Sequence, residues 1–244
     1  MIKLKNIFGA IIILGYCLFL SSQALGAPSR GWGDYGINIA SAEADDPQTQ
    51  VKIVGDGAGG TYVVWRDLSS NANGDIYVQN YNSSGTAQWT TNGVAVYTTG
   101  VDSIIGCSID SSKNLLVAWQ SIQGSGNKAV FVQKVSQTGA IQWTTGGVCV
   151  VATPSSANQD QGQIATDGST GLFVVWTDYV NDGRGDTYAQ YFDSTGARQG
   201  GDNGITISAL AAVAQTNPHL ANTMANTVII AWTDQRNGNS DIYA

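Results

Sequence analysis

Few side chains in this 244-residue sequence could carry chemistry, and the most regular of them are aspartates set in pairs. Asp67 and Asp75, Asp178 and Asp186, and Asp234 and Asp241 each bracket a short polar stretch. Such pairs could hold calcium, which takes about six to eight oxygen ligands, with Asn71, Asn73 and turn carbonyls adding to the set. They could equally cap their own turns, since an Asp side chain accepts hydrogen bonds from backbone N–H groups two residues on. Calcium at these six aspartates is one expectation and turn capping its rival; no other cofactor is expected. Hydrolysis of a glycosidic bond needs two placed carboxylates, or a Tyr nucleophile with an Arg cluster for a sialic acid. Arg30, Arg66, Arg184, Arg198 and Arg236 are scattered, Glu43 is the only Glu, and the single His219 falls on a strand. No Ser or Cys has a recognisable triad partner. No catalytic residue is assigned, and the chain is expected not to be an enzyme.

The elements that must position these groups are repeats. Gly60-Thr61-Tyr62-Val63-Val64-Trp65-Arg66-Asp67 is rewritten around Trp119, Trp176 and Trp232, at intervals of 54, 57 and 56 residues. Fourteen residues after each of the first three Trp stands Gln79, Gln133 or Gln190, and the last copy ends at Asp241-Ile242-Tyr243-Ala244. A Gly turn follows (Gly85, Gly139, Gly196), then Trp89 or Trp143, then Gly93-Val94-Ala95-Val96 or Gly147-Val148-Cys149-Val150. The third copy has Gly200 in the Trp slot before Gly204-Ile205-Thr206-Ile207. A period above fifty residues, carried by short strands and Gly turns, implies a β-propeller of four-stranded blades, strands A to D in chain order. The blades are expected at 47–99, 100–153, 154–209 and, in part, 210–244.

Strand B is apolar at nearly every position, so both of its faces must be buried. Strand D alternates, with Ile37, Ile39, Val94, Val96, Val148, Val150, Ile205 and Ile207 inward and Asn38, Ala95, Cys149 and Thr206 facing the other way. The recurring Gln reads as a buried amide serving backbone groups between blades rather than as a ligand ring. Trp65, Trp119, Trp176 and Trp232 read as core; Trp89 and Trp143 are the candidates for a surface aromatic.

Lys3 and Lys5 precede an apolar run from Ile7 to Leu20 and small residues at Ala24-Leu25-Gly26-Ala27, the pattern of a secretory signal peptide over 1–27. Without it, nine basic residues face 18 acidic ones, which argues against nucleic acid as a partner. The mature chain is expected to span no membrane, to be a monomer, and to work outside the cell or at its surface, with the periplasm as the alternative. Cys107 on strand A and Cys149 on strand D of one blade are about three strand spacings apart, beyond disulfide reach.

Asp56-Gly57-Ala58-Gly59-Gly60, Trp232-Thr233-Asp234-Gln235-Arg236 and Asp241-Ile242-Tyr243-Ala244 resemble the repeats of secreted bacterial β-propeller-like proteins, Asp-Gly-x-Gly-Gly-x-x-Val-x-Trp-x-Asp-x-Arg followed by Asp-Ile-Tyr-Ala-Gln. Unit two departs, with Gln120-Ser121 after its Trp and Lys128-Ala129 in the Asp-Ile slot. The resemblance implies export and propeller shape. The function expected is a non-enzymatic binding scaffold for a protein or glycan; the alternatives are a glycan-processing enzyme, sialidase-like or another glycoside hydrolase, and a structural spacer. Trp32 to Ala40 reads as a strand D that completes a blade whose other strands come from the C-terminal side; a whole chain would close as a four-bladed ring, but the chain is expected to be a fragment forming an incomplete ring or arc.

Overall fold

A computed structural model describes residues 32, 36–39, 47–69, 74–99, 103–124, 126–153, 157–224 and 227–244. The signal-peptide segment lies outside them, as do Asn71 and Asn73. Met1–Gly36 is one compact unit, of which only Trp32, in a turn, and Gly36 are described; Ile37–Ala244 is the other and carries the fold.

That second unit is all-β and consists of propeller blades. Blade 1 holds β1 (Gln48–Gly55), β2 (Thr61–Asp67), β3 (Asp75–Tyr81) and β4 (Val94–Tyr97). Blade 2 holds β5 (Ser103–Ile109), β6 (Leu115–Ile122), β7 (Lys128–Val135) and β8 (Val148–Cys149). Blade 3 holds β9 (Gln159–Thr166), β10 (Leu172–Asp178), β11 (Asp186–Phe192) and β12 (Ile205–Ser208), and blade 4 holds β13 (Gln215–Met224), β14 (Thr227–Asp234) and β15 (Asp241–Tyr243). Each sheet is antiparallel in chain order, and the first strands β1, β5, β9 and β13 pack one on the next.

The doubly apolar second strands account for the stacking. Leu115 and Val117 of β6, with Trp119, meet Tyr62, Val64, Ile76 and Val78 of blade 1, while Leu116 and Ala118 on the other face meet Leu172, Val174 and Trp176 of blade 3. Each such side chain contributes about 1.5–3 kcal/mol when fully withdrawn from water. Gly93, Gly147 and Gly204 lie beneath Trp65, Trp119 and Trp176. Gly147 has φ +86°, and a Cβ built on it would stand 2.3 Å from the Trp119 ring, so only hydrogen fits there.

The recurring amides hold turns. The Gln133 Oε1 accepts from the Lys134 and Trp143 backbone N–H groups at 2.8 and 3.0 Å, and its Nε2 donates to the Thr144 carbonyl at 2.8 Å. Gln79 and Gln190 repeat the arrangement with Thr90 and Gly201. The bonds run within a blade, tying strand C to the turn that follows it; only Gln190 also crosses to the neighbouring blade, at the Val150 carbonyl.

Trp89 and Trp143 are not surface aromatics. Trp143 is buried, donates its indole N–H to the Ser194 carbonyl of blade 3, and lies over Gly196; Trp89, half-buried, does the same to Gln137 and Gly139 of blade 2. Cys149 is buried rather than outward-facing, because Arg198 of blade 3 closes over β8 and donates to the Cys149 and Val151 carbonyls. Cys107 and Cys149 stand on opposite edge strands of one sheet, and both are free. Burial pushes the Cys107 thiol up to about 11. Ile37 and Ile39 are in no strand, and the Tyr81 hydroxyl donates to the Ile39 carbonyl, so this segment lies on blade 1.

Candidate functional site

The turns after the second strands and the crossovers between blades emerge at one end and touch there. The Thr187 hydroxyl donates to the Gln215 carbonyl, the Ala212 N–H donates to Asp182, and Gln159 Nε2 donates to Asp178. The register of each hairpin sets its two aspartates opposite one another: Asp67 with Asp75, Asp178 with Asp186 and Asp234 with Asp241.

The first members of these pairs act as caps. Asp67 accepts from the Ser69 N–H, Asp178 from Val180 and Asp234 from Arg236, at 2.8 to 2.9 Å. The second oxygen of Asp178 takes the Trp176 indole N–H and Gln159, both at 3.2 Å; that of Asp234 takes the Trp232 indole N–H and the Arg236 guanidinium. In blade 2 Ser121 replaces the Asp; the buried indole N–H groups of Trp119 and of Trp65, in blade 1, have no acceptor. Among the described residues no three His, Cys, Asp or Glu converge. In blades 3 and 4 both carboxylates of the hairpin already accept hydrogen bonds.

The second members differ. In blade 3 Asn181 donates to Asp186 at 2.5 Å and to the Tyr188 hydroxyl at 3.1 Å. Burial pushes the Asp186 carboxyl above its ordinary value; the Asn181 bond opposes this, and the charges of Asp182 and Asp178 add to it. Two clefts meet here. One, of about 290 Å³, is lined by Asp178, Tyr188, Asn203 and Thr153 among others; the other, of about 280 Å³, by Asp182, Asp186 and Leu210; Asn181 lines both. Blade 4 repeats the trio as Asp241, Asn237 and Tyr243, but Asp241 is only half-buried. Sequence reasoning passed over Asn181 and Tyr188, although the recurrence of Asn three residues after Asp178 and Asp234 was there to be read.

Four other charged groups, Lys134, Asp110, Arg236 and Arg198, serve the structure. Lys134 pairs with Asp110 at 2.6 Å in the interior, Arg236 pairs with Asp234 and lies 3.9 Å above the Tyr243 ring, and Arg198 braces blade 2. Gln163 meets His219 Nδ1 at 2.7 Å between neighbouring blades.

No family model matches the chain, and no characterised protein matches it in sequence. Among solved structures it is similar to an endo-arabinase from Bacteroides thetaiotaomicron VPI-5482, at 11% identity over 89% of this chain and 77% of that one, with a TM-score of 0.44. It is also similar to a thermostable family-43 glycoside hydrolase, at 12% identity over 80% and 74% of the two chains, with a TM-score of 0.38. By name one is an endo-arabinase and the other a glycoside hydrolase, against the expectation of a non-enzymatic binding scaffold and of a chain that is not an enzyme. No residue is carried over from either. Among the described residues, no helix is long and apolar enough to cross a membrane.

Proposed function

We propose that this chain is a glycan-processing propeller enzyme, hydrolysing a glycosidic bond at the clefts of blade 3. The observation that carries the reading is Asp186, a carboxyl pushed upward by burial, directly opposite Asp178 in the hairpin and lining one cleft while Asp178 lines the other. Glycoside hydrolysis needs a carboxylic acid that keeps its proton near working pH, so that it can protonate the leaving oxygen, beside a second carboxyl that stays charged. Asp186 takes the first role. Asp178 only accepts hydrogen bonds and supplies the negative charge beside it. Asn181, Asn203 and Thr153 offer amides and a hydroxyl to sugar hydroxyls, and Tyr188 a ring on which a sugar face can rest. The apolar leader after Lys3 and Lys5 supports action outside the cell or at its surface, and the repeats support kinship with secreted bacterial β-propeller-like proteins.

The test is release of reducing ends from a panel of polysaccharides and aryl glycosides, with α-arabinan and sialosides included. Asp186→Asn should lower turnover by about 100-fold or more while leaving the circular dichroism spectrum unchanged. Asp241→Asn, in the more open copy of the same trio, should leave turnover intact. Activity should fall as pH rises through the titration of Asp186. Absence of product from every substrate, or an Asp186→Asn enzyme as active as the parent, would overturn the reading.

A further inference from the structure

The turn between the first and second strands, at the end opposite the clefts, carries an aspartate in blades 1 to 3: Asp56, Asp110 and Asp167. In all three, Oδ1 caps the turn, accepting from the backbone N–H four residues on, at 2.8 to 3.0 Å. The second oxygen distinguishes the blades. In blade 2 Asp110 Oδ2 takes the Lys134 ammonium at 2.6 Å and the Asn114 side-chain amide at 2.9 Å. In blade 3 Asp167 Oδ2 takes the Tyr191 hydroxyl at 2.8 Å. Lys134 and Tyr191 hold the same place on their third strands, opposite Leu116 and Phe173. In blade 1 that place, opposite Tyr62, belongs to Asn80, and the place of Asn114 to Gly60.

Asn80 does not supply the missing donor. The residue is 8% exposed, and its Oδ1 is buried with no hydrogen bond, while Asp56 Oδ2 accepts none among the described residues. Blade 1 thus sets two acceptor oxygens, one of them charged, where blades 2 and 3 set a carboxylate and a donor. A buried acceptor without a partner is costly, and a buried carboxylate without a counter-charge more so. The neighbours do not relieve it. The Tyr62 hydroxyl donates to the Lys113 carbonyl at 2.7 Å, which is the contact to the next blade that Lys134 makes with the Thr170 carbonyl. The Lys113 side chain lies against Gly57, and no ion pair joins it to Asp56 among the described residues. Gly60 leaves room: a Cβ built on it would stand 2.6 Å from Asp56 Oδ2 and 2.2 Å from the Tyr81 carbonyl oxygen, so both oxygens face the space of its missing side chain.

We propose that the first turn of blade 1 binds a monovalent metal cation, sodium or potassium, through Asp56 Oδ2 and Asn80 Oδ1, in the slot that the Lys134 ammonium holds in blade 2. The charge selects the ion. In blade 2 one positive charge balances one carboxylate, and blade 1 offers the same single carboxylate. A calcium site brings several acidic ligands, whereas among the described residues no three His, Cys, Asp or Glu converge. A set made only of oxygens, from a carboxylate, an amide and water, suits a hard cation. Asp56 is 9% exposed, so the ion and its remaining waters reach the slot from solvent. The ion would hold the first turn of blade 1 to its third strand, as Lys134 does in blade 2. The proposal does not depend on the glycosidase reading.

Thermal melting in sodium, potassium and tetramethylammonium chloride at matched ionic strength tests it, since tetramethylammonium screens charge but is too bulky for the slot. The parent should melt about 3–6 °C higher in sodium or potassium, at ten times the dissociation constant, than in tetramethylammonium. Asn80→Lys supplies the ammonium of blade 2. It should melt in tetramethylammonium at least as high as the parent does in the preferred ion, and respond to neither metal. Asn80→Leu keeps the burial and removes the oxygen, so it should lose the response too, and it carries the test if Asn80→Lys fails to fold. Sodium NMR reads the ion itself: the parent should broaden the line and Asn80→Leu should not. A parent that melts alike in all three salts and leaves the sodium line sharp would mean that a turned Asn80 amide or the Lys113 ammonium serves Asp56, and would overturn the proposal. So would either Asn80 variant responding as the parent does.

Discussion

Replacing Gln133 by Leu tests what the recurring amide is for. The side chain is fully buried, and the change is close to isosteric, so little is lost in packing. Three backbone groups lose partners: the Lys134 and Trp143 N–H groups, in fully buried bonds, and the Thr144 carbonyl, nearer the surface. An orphaned buried donor or acceptor costs about 1–3 kcal/mol, and the Thr144 carbonyl can recruit water, so the sum is about 3–5 kcal/mol. For a domain of this size each kcal/mol moves the melting temperature by about 2–4 °C, giving a fall of about 6–20 °C. Differential scanning calorimetry measures it. Gln133→Glu sharpens the test: its protonated carboxyl can accept and donate as the amide does, whereas the carboxylate only accepts and buries a charge. Its deficit should therefore shrink as pH falls. A Gln133→Leu protein that melts within about 2 °C of the parent, which is under about 1 kcal/mol, would refute the structural role and return the amides to the pool of ligand-binding groups.

Gly147→Ala should fail to fold or should melt far lower, because its Cβ would collide with the Trp119 ring, whereas Gly201→Ala, at a similar positive φ with nothing within 4 Å, should cost only about 1–2 kcal/mol in thermal melts. Trp143→Ala should cost about 3–5 kcal/mol by denaturant unfolding, and Trp89→Ala, half-buried in the same wedge, clearly less. The Arg236 hydrogen bonds hold the Asp234 carboxyl down to about 2. A lowered folded value means that the stabilisation is present above the ordinary carboxylate range and lost as pH falls toward 2. Thermal melts between about pH 5 and 2 should show this acid limb in the parent and a shallower one in Asp234→Asn.

The repeat was legible because blade stacking demands the same apolar pattern in every copy, and that demand survives substitution of individual residues. The boundaries of the second strands followed directly, and β2, β6 and β10 are buried on both faces as their runs require. The fourth strands were less legible. Their alternation placed Cys149 outward, yet its burial is decided by Arg198 from another blade, about fifty residues away in sequence and invisible to a local pattern. The wedge made by Trp89 and Trp143 escaped for the same reason: the indole belongs to one blade and its carbonyl acceptor and glycine seat to the next. Of the candidate site, the six aspartates were legible as pairs, but the partition of roles within each pair was not. Capping by Asp67, Asp178 and Asp234 depends on turn geometry, and the environment of Asp186 depends on a crossover from blade 3 to blade 4.

In a repeat protein, a residue present in every copy is first a requirement of the copy, and function is to be sought where one copy departs from the rest. Gln79, Gln133 and Gln190, in blades 1 to 3, and the capping aspartates, in blades 1, 3 and 4, come under the first condition. Asp186, Asn181 and Tyr188 recur as Asp241, Asn237 and Tyr243, so the trio by itself belongs to the hairpin. What sets blade 3 apart is the crossover after β12. The Ala212 N–H is anchored on Asp182, Leu210 forms one wall of the cleft, and Asp186 is buried beneath them while Asp241 is left half-open. The same three side chains thus stand in two environments, and in the enclosed one burial raises the Asp186 carboxyl. Cutting the anchor with Asp182→Ala should open the crossover, lower the titration of Asp186 toward the ordinary carboxylate range and carry the pH profile of any turnover down with it. NMR titration of the Asp186 carboxyl in both proteins reads this directly; an Asp186 titration unmoved by Asp182→Ala would mean that the strand pair, and not the crossover, sets its environment.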